Sequence, residues 1–259
     1  MLFALALIFG LLVGSFLNVV IHRVPMEESI VKPRSHCPQC NKTIAWYDNI
    51  PLLSFIFLRG RCRHCRKKIS PRYFLVELLT GLTAFYTYFY FRDPVLSLAY
   101  FCFLLAPLIA VIFIDLQHRI IPNVISLPGI LIGVAVHYLA APPLMEKEAL
   151  IDSLIGILVG GGFLFAVAWG YEKIKKREGL GGGDVKLAAM LGAFFGWQGV
   201  LMILLIASVL GSLIGLLVVA FKRNWLYQIP FGPFLALAAY LQFFFGEPTL
   251  QWYLSLLQK

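Results

Sequence analysis

Runs of apolar residues recur along the 259-residue chain with almost no charge inside them. Several reach the ~20 residues a helix needs to cross ~30 Å of hydrocarbon. Such runs cannot all be buried in one water-soluble core. Hydrophobic residues make up 60% and charged residues 14% of the chain, against roughly a quarter charged in an ordinary soluble domain. The bilayer is therefore the expected solvent, and the expected fold is an all-α polytopic membrane protein of about eight transmembrane helices. The spans fall at about 2–22, 73–91, 95–114, 120–140, 150–171, 185–198, 200–221 and 230–246. The run at 185–198 is the weakest, being short and glycine-containing. It is expected to be tilted, partly buried in protein, or joined to its neighbour through Gly196-Trp197-Gln198-Gly199. Met1 to Val20 lacks the basic leading region of a signal peptide and reads as a retained first helix.

The net charge of +9 does not point to nucleic acid, because the basic residues are confined to a few loops. Nineteen of the 22 Lys and Arg residues lie in 23–72, at Arg119, in 172–186 and at Lys222-Arg223. With the spans above, these segments share one side, which the positive-inside rule makes cytoplasmic. Both termini then lie outside with Arg92, Lys147 and Lys259, and Trp252 and Tyr253 suit the membrane interface there. The expected organisation is a first transmembrane helix (1–22), a polar cytoplasmic insert (23–72) and a membrane core (73–259).

Within the insert, Cys37-Pro38-Gln39-Cys40 and Cys62-Arg63-His64-Cys65 form two Cys-x-x-Cys pairs separated by residues 41–61. Two such knuckles supply the four thiolates of a closed, tetrahedral structural zinc site. A segment of this size also needs a staple of that kind to fold. A redox dithiol needs only one reactive pair, and disulfides conflict with a cytoplasmic face. His36 and His64 flank the knuckles, and spacing alone leaves open a site of three cysteines and one histidine. Cys102, in an apolar run, is expected to pack as a small hydrophobe.

Ionisable residues at or inside spans are costly and mark candidate functional positions. Four acids qualify: Glu77, Asp115, Asp152 and Asp184. Asp115 ends the run Val111-Ile112-Phe113-Ile114. Asp184 follows Gly179-Leu180-Gly181-Gly182-Gly183 at the start of the sixth span. Both sit at the cytoplasmic mouth. Two carboxyls at one depth can share a proton and so supply the base and the acid of peptide hydrolysis, as in aspartic proteases. The plainer alternatives are helix capping for Asp184, and for Asp115 an interfacial side chain or a partner of Arg119. A phosphate-binding loop is disfavoured, since no Lys-Ser/Thr follows the glycines.

The chain resembles the bacterial type IV prepilin peptidases. The resemblance rests on Gly14-Ser15-Phe16-Leu17-Asn18 through His22-Arg23, the two knuckles around Trp46-Tyr47-Asp48-Asn49-Ile50-Pro51, and Ile69-Ser70-Pro71-Arg72-Tyr73 with Glu77. It continues through Asp115 with Ile121-Pro122-Asn123 and Gly181-Gly182-Gly183-Asp184-Val185-Lys186-Leu187. The resemblance implies cleavage of type IV prepilins and type II secretion pseudopilins after a leader-terminal glycine, in the inner membrane. N-methylation of the new terminus from S-adenosylmethionine would follow. It maps the catalytic pair onto Asp115 and Asp184, in a Gly-x-Gly-Asp pattern with Gly182 as the variable residue. Glu77 becomes the acidic determinant of methyl transfer, whereas its own sequence context marks it only as an acid at a buried edge. No glycine-rich Rossmann-type site for the methyl donor is present, and Asp152 receives no role. Gly and Pro positions (Pro107, Pro128, Gly160 to Gly162, Pro230, Pro233) either loosen helices for lateral substrate entry or serve packing.

A transporter or assembly anchor would be expected to carry acids near mid-membrane rather than at one mouth. A protease without methyl transfer, as in relatives lacking the cysteine insert, is disfavoured by the insert's presence.

Overall fold

A computed structural model of the chain describes residues 2–142, 145–176, 181–222 and 229–257, with backbone alone at 219, 222 and 247–257. Gly179, Leu180, Arg223, Lys259 and the side chains of Trp252 and Tyr253 lie outside what is described. The chain forms two compact units, residues 1–114 and 115–259.

In the first unit, α1 (Leu2–Arg23) precedes the insert, which carries short 3-10 turns at Val24–Met26 and Trp46–Asn49 and a five-residue helix α2 (Leu53–Phe57). α3 (Pro71–Phe91) starts where the Ser70 hydroxyl accepts the Arg72 N–H and Pro71 takes the first helical position. Left-handed Arg92 ends it. Asp93 then caps α4 (Pro94–Tyr100) by accepting the Leu96 N–H at 2.7 Å. α4 runs through a π-helical turn, Phe101–Leu105, into α5 (Ala106–His118). Pro107, which has no N–H to return to the preceding turn, follows that wider turn, and Cys102 lies within it, partly buried.

α1 and α3 pack through small residues. A Cβ on Gly10 would meet Ala84 Cβ at 2.5 Å and the Gly81 Cα at 2.9 Å, and one on Gly14 would meet the Glu77 Cα at 2.8 Å. Hydrocarbon lipid supplies no hydrophobic drive between helices, so close backbone approach of this Gly-x-x-x-Gly kind is what brings them together.

In the second unit, α6 (Asn123–Ala140), α7 (Glu146–Lys175), α8 (Gly182–Lys222) and α9 (Gly232–Leu257) follow. Six helices across the described chain are long and apolar enough to cross a membrane, and the described Gly232–Gly246 part of α9 is a shorter apolar helix. The chain is thus a multi-pass membrane protein.

α8 is not a straight rod. At Gly196 the backbone leaves helical space, with φ 67° and ψ −176°. A Cβ on Gly160 of α7 would meet both the Ala188 carbonyl oxygen and Val200 Cγ2, each within 3 Å, so these two residues of α8 lie side by side. Twelve residues of straight helix would set them about 18 Å apart. The chain therefore turns back at Gly196, and the two expected spans 185–198 and 200–221 are the arms of a hairpin.

The first arm is about 20 Å long, short for a lipid-exposed span. Its burial explains the length: Leu187, Ala188, Met190, Leu191 and Ala193 have no exposed surface. Small residues admit it, as Gly129 and Gly133 of α6 and Gly156, Gly160 and Gly161 of α7 all meet it within Cβ range. Gly160 and Gly161 therefore serve packing, whereas Gly162 faces open space.

Polar groups hold the turn. Ser153 Oγ donates to the Ala193 carbonyl at 2.8 Å, and His137 Nδ1 lies 2.9 Å from the Phe194 carbonyl. Asp152 faces His137 Nε2 at 3.4 Å and the Trp197 N–H at 3.4 Å, which gives this acid a structural place.

Gly196→Ala is expected to cost about 1–3 kcal/mol from the glycine-only backbone region alone, and its Cβ would also strike the Asp152 carboxylate. Thermal unfolding in detergent should show a lowered midpoint, only partly restored by adding Asp152→Ala. An unchanged midpoint for Gly196→Ala would contradict the turn.

Candidate active-site aspartates and a four-thiol cluster

Asp115 lies one turn before the end of α5, which closes with left-handed Arg119, whose N–H bonds the Asp115 carbonyl at 2.9 Å. Its side chain is buried rather than reaching for the interface, the residue being 4% exposed. Asp184 is the third residue of α8 and 9% exposed. Its carboxylate turns back to the Gly181 backbone, 3.3 Å from where a Gly181 Cβ would stand. This is the reach of an acid in a helix's first turn toward the residue that caps it.

The two acids are near enough to interact electrostatically. Asp115 Oδ2 and Asp184 Oδ1 are buried without a hydrogen-bond partner among the described residues. Buried polar atoms are normally satisfied, so these two oxygens call for a partner that the described residues do not supply, such as water or a substrate group.

The glycines around the acids are explained by what surrounds them. A Cβ on Gly183 would meet Ile121 Cβ at 2.9 Å; one on Gly232 would meet Asp115 Oδ2 at 2.6 Å and Ile121 Cδ1 at 3.0 Å. Ile121 is thus wedged between both glycines beside both acids. Gly182 has nothing within 4 Å, so any side chain fits there, which is the steric content of the Gly-x-Gly-Asp pattern. Lys186 Nζ donates to Asn123 Oδ1 at 2.8 Å, tying the start of α8 to that of α6.

Sequence reasoning missed Gly232, whose backbone lies against the Asp115 carboxylate. The available signal was Phe231-Gly232-Pro233, a glycine opening a helix with Pro behind it.

In the first unit the four expected thiols converge. The Sγ atoms of Cys37, Cys40, Cys62 and Cys65 all lie within 4.8 Å of one another, and none is in a disulfide. Cys37 and Cys65 Sγ are 3.9 Å apart, close to the ~3.8 Å edge of a tetrahedron with 2.3 Å zinc–sulfur bonds.

The two knuckles repeat one geometry. Cys37 N–H donates to Lys42 O and Asn41 N–H to Cys37 O, while Cys62 N–H donates to Lys67 O and Arg66 N–H to Cys62 O. Asn41 and Arg66 are both left-handed. The Cys65 and His64 N–H groups hold the Cys62 thiol down at about 7, while Cys40, beside the other three sulfurs, is pushed up to about 11. His36 and His64 are exposed and outside the cluster. The donor set fits one tetrahedral metal ion.

Arg63, inside the second knuckle, clamps Asp48 with Nη2 2.6 Å from Oδ1 and Nε 2.8 Å from Oδ2. That guanidinium holds the Asp48 carboxyl below the usual carboxylate range and lies over the Tyr47 ring.

Glu77, on α3, accepts the Leu52 N–H at 2.8 Å and the Ser15 hydroxyl. Leu52 lies between the knuckles with φ 59° and ψ −49°, an unusual conformation for a branched residue. One turn from Ser15 along α1, Asn18 donates to the Tyr73 carbonyl at 3.1 Å, and its Oδ1 is buried without a partner among the described residues.

Residues 8–91 match the bacterial peptidase A24 N-terminal domain, and residues 102–216 match the type IV leader peptidase family. A protein of Myxococcus xanthus named prepilin leader peptidase/N-methyltransferase is 48% identical over 222 residues, covering 83% of this chain and 63% of that protein. Proteins of the same name from Aeromonas hydrophila and Pseudomonas aeruginosa are 36% and 34% identical, over 98% and 96% of this chain and 94% and 92% of their own length. No solved structure matches the chain. With both halves of the chain matched in order and relatives matched almost end to end, the chain belongs to the type IV leader peptidase family.

Proposed function

We propose that the chain is a bifunctional enzyme of the bacterial inner membrane. It removes the leader from type IV prepilins and type II secretion pseudopilins after a glycine, and then N-methylates the new terminus. The observation that carries the first activity is the pair of buried acids, Asp115 and Asp184, with unpartnered oxygens beside the Ile121 wedge. The relatives' shared name supports both activities.

In this reading one carboxylate takes a proton from water as it attacks the scissile carbonyl. The other, protonated, gives its proton as the carbon–nitrogen bond breaks. Their burial excludes bulk water and leaves fixed backbone dipoles, including the start of α8, facing the reacting atoms. In this reading the acids and the insert face the cytoplasm, which the confinement of basic residues to a few loops supports. Membrane lipid surrounds the helices, and nucleic acid has no part.

The insert (23–72) is read as a methyl-transfer-associated subdomain, the helices of 73–259 as the peptidase core. Cys37, Cys40, Cys62 and Cys65 would hold a structural zinc ion that sets the fold of the insert. S-adenosylmethionine would supply an electrophilic methyl group. Glu77, held by Leu52 and Ser15, would take the proton that the new amino terminus loses on methylation, and the orphaned Asn18 Oδ1 offers the amine a second acceptor. These groups fit an amine acceptor.

Glu77→Ala should separate the two activities: a prepilin is still cleaved, but its new N-terminus is lighter by one methyl group in mass spectrometry. A methylated product would remove Glu77 from the scheme.

A further inference from the structure

We infer that the outer face of the segment between the two knuckles, residues 41–61 with α2 at its centre, docks on an anionic lipid surface. This rests on the chain being a multi-pass membrane protein and not on either enzymatic assignment. α2 has two sides. Its inner side packs down, with Phe55 against Phe74 in the first turn of α3 at 5.5 Å between ring centroids and against Gly60, while the Leu52 N–H reaches Glu77.

The other side has no cover among the described residues. Leu53, Ile56 and Phe57, at helical spacing, are exposed, Phe57 by 80%. Just before α2 in the chain, Ile50, Tyr47 and Trp46 are exposed as well, Trp46 by 74%, with the Trp46 and Tyr47 rings edge to face. In a segment outside the spans, so many large apolar groups together mark an interaction surface.

Three observations choose lipid as the occupant. The segment is anchored at membrane level, since its Phe55 rests on Phe74 at the very start of a helix long enough to cross the bilayer and α1 enters the insert from another. The face has the composition of the membrane interface, with Trp and Tyr beside aliphatic and Phe side chains. Finally, Arg59, Arg61, Arg66 and Lys68 are exposed on the strand of chain that follows α2. The 23–72 segment carries eleven basic residues against only Glu27, Glu28 and Asp48. A cationic rim on an apolar face complements anionic headgroups above acyl chains.

The test uses full-length protein in nanodiscs of phosphatidylcholine, alone or mixed with phosphatidylglycerol, containing phospholipid brominated near the top of the acyl chains. The Trp46 signal is the difference between the protein and its Trp46→Phe variant. It should be quenched by bromine, and more strongly with phosphatidylglycerol. Arg59→Gln with Arg66→Gln and Lys68→Gln should remove the phosphatidylglycerol increment. Ile56→Asp with Phe57→Asp should abolish the quenching, and an unchanged proteolysis pattern of the insert would show that it remains folded. Should that variant lose its fold, the Trp46 difference in the unaltered surface still decides. A Trp46 signal that bromine does not quench in either lipid overturns the inference. Quenching that appears only after a prepilin is added also overturns it, and assigns the face to a protein partner.

Discussion

Asp115→Asn and Asp184→Asn should each lower leader removal by roughly 10²–10⁴-fold, the usual contribution of a positioned acid or base. Both substitutions are nearly isosteric, so the packing of Gly183 and Gly232 around Ile121 is kept and the protein should insert and unfold as before. The double variant should be little worse than either single one, because two groups acting as a unit do not contribute additively. Asp152→Asn provides the contrast. That acid faces His137 and the Trp197 N–H at the hairpin turn, and its loss should alter stability while leaving cleavage in place. Full processing by either of the first two variants would dismiss the carboxylate pair.

The second large effect concerns metal. Cys37→Ser with Cys40→Ser should take the protein from one zinc ion per chain to none. Two ligands cannot hold a closed site, and structural zinc supplies about 10–16 kcal/mol to small peptide domains. The segment between α1 and α3 has little else to hold it: two repeated knuckle turns, the Asp48–Arg63 clamp and the Phe55–Phe74 contact. Its loss should raise protease sensitivity within 24–70 and, because Leu52 lies between the knuckles, release the N–H that holds Glu77. Metal content unchanged by the double substitution would refute the four-thiolate site.

The helices were legible in the sequence because span length and low charge are direct consequences of the solvent they fold in. The four thiols were legible because knuckle spacing is itself the geometry of the site. The sixth span was ambiguous for a physical reason: an arm buried by α6 and α7 obeys packing rather than the hydrocarbon thickness. What decided its course was one backbone conformation at Gly196, which no periodicity encodes.

Asp115 and Asp184 were visible as costly acids at one depth, but Gly232 was not. Its importance lies in what a Cβ would strike, Asp115 and Ile121, and those neighbours arrive from distant parts of the chain. Likewise Asp152 had no reading until the turn it faces was in place. Glu77 was an ordinary edge acid in the sequence, and the left-handed Leu52 that reaches it belongs to a loop whose course no local pattern dictates.

The most direct test of the account is to incubate the purified protein, in bilayers, with a prepilin and S-adenosylmethionine and to weigh the product. The expected product is a shortened chain that begins after the leader glycine and carries one added methyl group. An intact prepilin recovered with wild-type protein that retains its fold and its metal would contradict it.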